Sequence, residues 1–358
     1  MKNKLLLSSA LVGGLIASGN SFAQTSVSGN MSINYKAQSH KVASGATAKS
    51  ERFFGRETQI NIANKGKLNN GMDYAMGFSL EYDGDMTTDS RDSSISNENV
   101  YIDFISGDTT VTVGLDHIQN VTQTVLPVIY NHYDILAGMG ATATNAVGAG
   151  TKESIGAGVI QKIPSAGLTL SALWVPQSGF TGTGNDVVNK SDAATTSPST
   201  ADRNSSYEIG VRGADTFGVK GLAVSAFMNN EKGSTPGTLS TNNDVTGYHV
   251  GASYGVGNFR FGAEKNSNQA NTGHANTVKS YAISYAATQN ATLGVWRADS
   301  KIGLKSATAT VDEKAYGFGV GYNFGPLAVM VDHTRLDNQD GVSGSDVREV
   351  SLKFLAAF

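Results

Sequence analysis

Sixteen short segments with apolar residues on every second position constrain this chain more than any other feature. In the clearest, Tyr74, Met76, Phe78, Leu80 and Tyr82 alternate with Asp73, Ala75, Gly77, Ser79, Glu81 and Asp83. Successive side chains of a strand point to opposite faces, so this segment is a ribbon with one greasy and one wet side. The others are Val27–Tyr35, Ile60–Ile62, Val100–Phe104, Val111–Leu115, Ile155–Val159, Leu168–Trp174, Tyr207–Val211, Leu222–Ala226, Tyr248–Tyr254, Phe259–Ala263, Tyr281–Tyr285, Leu293–Val295, Tyr316–Phe324, Leu327–Val331 and Val350–Phe358. The second and thirteenth are the weakest. Helical periodicity is nearly absent after residue 24.

The connections alternate too. Ser106-Gly107-Asp108, Pro164-Ser165-Ala166-Gly167, Gly255-Val256-Gly257, Thr288-Gln289-Asn290 and Gly325-Pro326 have tight-turn chemistry. Long polar stretches lie between them, roughly at 37–52, 83–96, 117–152, 177–204, 231–245, 266–277, 300–312 and 338–345. Short turns on one rim and long loops on the other suit a transmembrane barrel, whereas a soluble sandwich gives no reason for them. The even strand number and a spacing of about 21 residues per strand fit as well. The expected fold is all-β, a 16-stranded antiparallel transmembrane β-barrel. In lipid every backbone group needs a partner, so the last strand must close on the first.

Composition removes most alternatives. With 42 Gly, 6 Pro and only 16% charged residues, the chain is a poor fit to a helical enzyme. A net charge of −3 leaves no electrostatic footprint for nucleic acid. The absence of Cys excludes disulfides, thiolate metal sites and cysteine nucleophiles together.

The first residues read as a targeting segment. Lys2 and Lys4 precede the apolar run Leu5–Ile16, and Ser21-Phe22-Ala23 offers small residues where a signal peptidase reads. A spanning helix would need about 20 apolar residues, more than this run holds. Residues 1–23 are expected to be a secretory signal peptide and 24–358 the exported barrel. At the other end, REVSLKFLAAF puts Val350, Leu352, Phe354, Ala356 and Phe358 on a lipid face. Glu349, Ser351 and Lys353 then project into water on the inner face.

Leader, sixteen amphipathic strands and terminal Phe358 together resemble the general diffusion porins of Gram-negative outer membranes, over the whole chain. The resemblance implies a water-filled channel for passive diffusion of small hydrophilic solutes and ions. It places the protein in the cell outer membrane, reached through the periplasm, as a homotrimer in contact with outer-membrane lipid and lipopolysaccharide. No cofactor, no metal and no enzyme activity are implied. In that family the barrel-assembly machinery reads a terminal aromatic residue, here Phe358.

The family's third long loop folds inward and narrows the pore. Its counterpart here, residues 117–152, contains HIQNVTQTVLPVIYNHYDILAGMG, with Val125, Leu126, Val128, Ile129, Tyr130 and Leu136 among many apolar groups. A solvated loop has no use for them, whereas a loop packed on the inner wall does. The glycine-lined strands leave it room. An extracellular subdomain or a subunit contact is the other reading. The Pro-Glu-Phe-Gly-Gly stretch of enteric members is missing, so only the loop acids Asp116 and Asp134 carry over as constriction residues.

Other motifs have plain readings. Asp83-Gly84-Asp85 with Asp89 and Asp92 lacks calcium-loop spacing and reads as solvated loop acids before a divalent-cation site, while the family resemblance adds a latch to a neighbouring subunit. Gly317-Phe318-Gly319-Val320-Gly321 puts its glycines on one strand face and has no nucleotide-loop spacing. The six histidines show no paired ligand spacing, and no Ser/His/Asp set stands out. Tyr35, Tyr74, Tyr82, Tyr207, Tyr254, Tyr281, Tyr316, Tyr322 and Phe324 fit interfacial aromatic girdles.

Charged side chains lining the lumen set selectivity. Parity turns Glu57, Glu81, Asp103 and Asp116 inward on the early strands, and Arg212, Arg260 and Lys353 inward later. Arg52 and Arg56 are further lumen candidates, subject to a bulge that would flip their parity. With acids gathered on strands two to five and a negative net charge, a weak cation preference is expected. A substrate-specific channel would need an aromatic ladder or basic ring, which parity does not reveal. A plugged barrel acting as adhesin or enzyme is the remaining alternative.

Overall fold

The structure, a computed structural model, describes residues 24–41, 49–84, 96–115, 125–128, 155–175, 203–233, 245–270, 275–302, 312–339 and 342–358. The expected signal peptide lies outside them. Sixteen strands make up nearly all of the described chain: β1 Gln24–Lys41, β2 Lys49–Lys67, β3 Asp73–Gly84, β4 Ser96–Ser106, β5 Thr109–Leu115, β6 Ile155–Ile163, β7 Leu168–Val175 and β8 Arg203–Ala214. The second half comprises β9 Leu222–Gly233, β10 Val245–Val256, β11 Phe259–Ala270, β12 Ala275–Ala286, β13 Ala291–Ile302, β14 Glu313–Asn323, β15 Leu327–Asp337 and β16 Asp346–Ala357. Each pairs antiparallel with its sequence neighbours, and β16 pairs with β1 from Asn30↔Ala357 to Lys41↔Asp346. The sheet therefore closes without an edge, which satisfies every ladder group internally.

Burial runs opposite to that of a soluble domain. Ile33, Val250, Phe318 and Phe354 are exposed, while Ser79, Thr112, Asn229, Ser280 and Thr334 are buried. Water would not tolerate so much uncovered apolar surface, but lipid does. Alternation thus assigns the apolar positions to the outside of the wall and the small and polar ones to the inside.

Both weak segments are strands, and β2 is the longest of all at 19 residues. Its first half faces outward through Arg52, Phe54 and Arg56 rather than through aliphatic side chains. Apolar alternation lasts only as far as the bilayer, whereas the β1–β2 ladder continues up to His40↔Lys49. The first long connection is correspondingly shorter than the expected 37–52. In β4 one extra residue, Asn99, adopts φ 51°, and the pairing with β3 shifts between Gly77 and Ser79. Asn99 there donates from Nδ2 to Ser79 Oγ at 2.9 Å. This is a bulge, which resets parity within a strand.

At the turn-side end of the β1–β16 seam, Phe358 N–H donates to Gly29 O at 2.9 Å and Gly29 N–H donates to Phe358 O at 2.8 Å. The Phe358 ring lies directly on Gly29, on the lipid face. A Cβ at residue 29 would stand 2.5 Å from the ring and 2.6 Å from Gln59 O. Only glycine permits this approach.

Candidate functional site in the barrel interior

Register shows which groups face the lumen. Ser32 is 2% exposed between Met31 and Ile33, which are 45% and 46% exposed, so it points inward. Glu57 is its Cα partner on β2 and therefore points inward too. Lys353 Nζ of β16 lies 4.0 Å from Glu57 Oε2, across β1. Lys36 Nζ lies 4.0 Å from Glu349 Oε1, and Gln38 Nε2 donates to the other oxygen of that carboxylate. These contacts lace the closing seam from within. The Lys353–Glu57 pair, long and partly exposed, contributes at most about 1 kcal/mol.

The other sequence-assigned wall residues fall where parity puts them. Glu81 stands opposite Gln59, and Asp103 opposite Ala75 and Thr112. Arg212 stands opposite Thr169 and Ser225. Arg260 donates from Nε and Nη2 to Ser253 Oγ at 3.1 and 3.0 Å. Asp116 and Asp134 lie outside the described residues, as does the acidic loop from Asp85 to Asp92.

Arg52 and Arg56 are a correction. Their Cα partners Ala37 and Ile33 belong to the outward series, so neither arginine lines the lumen. Arg56 Nη2 donates to Tyr82 Oη at 2.6 Å, and the guanidinium sits 4.7 Å over that ring. No bulge intervenes in the β1–β2 register to turn them inward.

A second correction concerns solvent. Glu349 and Ser351 face inward as expected, yet they are 2% and 0% exposed rather than standing in water. Gln38 donates to Glu349, and Ser351 donates to Asp332, so neighbouring wall groups take the place of water. Sequence reasoning also overlooked the inward carboxylates Glu208, Glu264, Glu313 and Asp332, all buried. The parity that placed Arg212 would have found Glu208 on the same strand. The acids are therefore not confined to strands two to five.

Part of the interior is apolar. Leu126 packs in a cluster with Val278, Ala282, Trp296, Ala298, Ala315, Leu336 and Val347, and Val128 packs against it. All the strand members of this cluster alternate with lipid-facing residues, so Val125–Val128 rests on the inner wall. Gly262 makes the seat, because a Cβ there would come within 2.6 Å of Pro127 Cδ. The rest of 117–152 lies outside the described residues.

A polar chain crosses β9, β10 and β11 on the same wall. Ser225 Oγ is 2.7 Å from His249 Nε2, and His249 Nδ1 is 2.6 Å from Asn266 Oδ1. Asn266 Nδ2 donates to Glu264 Oε1 at 3.3 Å, and Phe227 stacks on the imidazole at 4.2 Å. Such a chain can activate a serine where substrate reaches it. Here Ser225 is 1% exposed, and Val125 packs at the same spot over Gly251. Its evident work is cross-linking three strands. Among the described residues, no group of three or more His, Asp or Glu side chains is placed to hold a metal ion.

A closed, inside-out antiparallel barrel of this kind is a membrane barrel of the outer-membrane type. The Gram-negative porin family model matches residues 8–354, and the chain belongs to that family. No curated protein sequence matches it significantly. Among solved structures, an anion-selective porin from Comamonas acidovorans aligns with TM-score 0.67 at 12% identity, over 94% of this chain and 100% of that one. OmpF of Salmonella typhi, in complex with daunomycin, aligns with TM-score 0.63 at 12% identity, over 92% and 97%. OmpT of Vibrio cholerae aligns with TM-score 0.60 at 12% identity, over 96% and 100%. Family and fold point to an outer-membrane channel rather than an enzyme.

Proposed function

We propose that the protein forms a water-filled channel for passive diffusion of small hydrophilic solutes and ions, with a weak cation preference. The observation that carries this reading is the inner wall of a closed barrel, which is polar and on which, among the described residues, carboxylates outnumber cations. On the inward series, Glu51, Glu57, Asp73, Glu81 and Asp103 on β2–β4 are joined by Glu208, Glu264, Glu313, Asp332 and Glu349, against Lys36, Lys65, Lys67, Lys162, Arg212, Arg260 and Lys353. A negative wall concentrates cations and repels anions at close range.

Residues 117–152 act as the constriction in this reading, supported by the seat of Val125–Val128, with Asp116 and Asp134 lining it. Residues 1–23 direct export, and Phe358 serves the assembly machinery. The working form is a homotrimer in lipid and lipopolysaccharide. These parts rest on the family resemblance. Reversal potentials across a planar bilayer under a salt gradient test the selectivity. A cation-side potential is expected, reduced in Glu57→Gln/Glu81→Gln, and an anion-side potential in the wild type rejects the reading. Solute-dependent block of the current would point instead to a substrate-specific channel.

A further inference from the structure

The outer wall carries a feature that diffusion through the lumen does not use. An apolar groove of about 730 Å³ crosses it from β7 to β11. Its floor follows one row of directly opposed residues: Leu170, Val211, Ala226, Val250 and Lys265. Leu170 lies near the turn-side start of β7 and Lys265 past the middle of β11, so the groove climbs the wall obliquely. Four interstrand spacings make it roughly 19 Å long, room for much of one extended hydrocarbon chain.

The upper end of the groove is cationic. Lys265 stands directly opposite Lys279 of β12, and Tyr248 and Ser267 flank the position. Like charges directly opposite each other on a sheet face repel. Neither lysine has an ion-pair partner among the described residues. Asp299, next along the row from Lys279, is already held by Arg297 through Nε and Nη2 at 2.9 and 2.7 Å. An anion placed between the two lysines would relieve their repulsion.

We infer that the groove seats one acyl chain of a net-anionic, phosphate-bearing membrane lipid, whose headgroup bridges Lys265 and Lys279. The inference rests on the barrel standing in a membrane. The chain fills an apolar trough, and the phosphate meets the paired charges at its loop-side end. Both features are needed, which separates this site from a bare basic patch.

The test titrates the purified protein, held in dodecyl maltoside, with phosphatidylglycerol or phosphatidylcholine and counts retained lipid by native mass spectrometry. Wild type is expected to hold phosphatidylglycerol at least roughly tenfold more tightly, as two lysines near a lipid phosphate allow. Lys265→Gln/Lys279→Gln removes that preference, Ala226→Phe lowers retention of both lipids by filling the groove, and inorganic phosphate displaces neither. Equal retention of the two lipids by wild type, a preference that survives the lysine substitutions, unchanged retention by Ala226→Phe, or displacement by inorganic phosphate would each overturn the proposal. Single-channel recordings run alongside, in which the lysine variant conducts like wild type because both side chains lie outside the lumen. A wild type that forms no channel overturns instead the membrane-channel reading beneath it.

Discussion

Removing Phe358 is expected to cut the yield of folded, heat-resistant barrel at least about tenfold, while the barrels that do form keep wild-type conductance. The deletion opens two backbone hydrogen bonds with Gly29 at the turn-side end of the seam. Each lost backbone hydrogen bond costs on the order of 1 kcal/mol net, and more where lipid rather than water meets the opened groups. The aromatic ring that covers Gly29 goes with them. Gly29→Val attacks the same point from β1, since its Cβ would collide with both the ring and Gln59 O. Phe358→Ala keeps the bonds and loses the ring, so its smaller deficit measures the ring alone. Gel mobility of unheated outer-membrane fractions reads all three variants. Normal yields of the deletion and of Gly29→Val together would reject the seam.

The second large effect concerns the segment on the inner wall. Leu126→Asp places a carboxylate among Val278, Ala282, Trp296 and Ala298 in exchange for a buried aliphatic side chain. The lost burial is worth about 2 kcal/mol, and an unpaired charge in apolar surroundings adds several more. A change of that size shifts the seated population at least about a hundredfold. Single-channel conductance is expected to rise and its distribution to broaden, with the barrel itself intact because no ladder bond is touched. Gly262→Val, which displaces Pro127 from the other side, should act in the same direction. Wild-type conductance from both variants would show that Val125–Val128 does not narrow the pore.

Alternation made the strands legible because a membrane barrel has only two kinds of wall position. The strand register sets Glu57, Glu81, Asp103, Arg212, Arg260 and Lys353 on the inward series. It also runs unbroken through β2, so Arg52 and Arg56 share the outward face of Ile60 and Ile62, and their lumen placement does not hold. Alternation passed over Asn99, whose left-handed backbone inserts an extra residue with no mark in the hydrophobic pattern. Strand length was underestimated wherever the ladder outruns the bilayer, as between His40 and Lys49. The interior was harder to read than the wall. Sequence parity says that Glu349 faces inward, but only packing shows that Gln38 and Lys36 meet it. The Ser225–His249–Asn266 chain joins three strands and has no linear signature.

Closure between β1 and β16 also dictates when this molecule can become itself. Gln38 and Glu349 meet across the seam although they are 311 positions apart in the chain. Loop-closure entropy disfavours so distant a pairing until the intervening strands have formed, so it is the natural last step of folding. Until then two full-length strands present unpaired backbone, and any other open sheet is a competing partner. The half-made barrel is thus the state most exposed to aggregation. A mutation that slows closure would be felt first as lost protein, well before it altered any pore that survived.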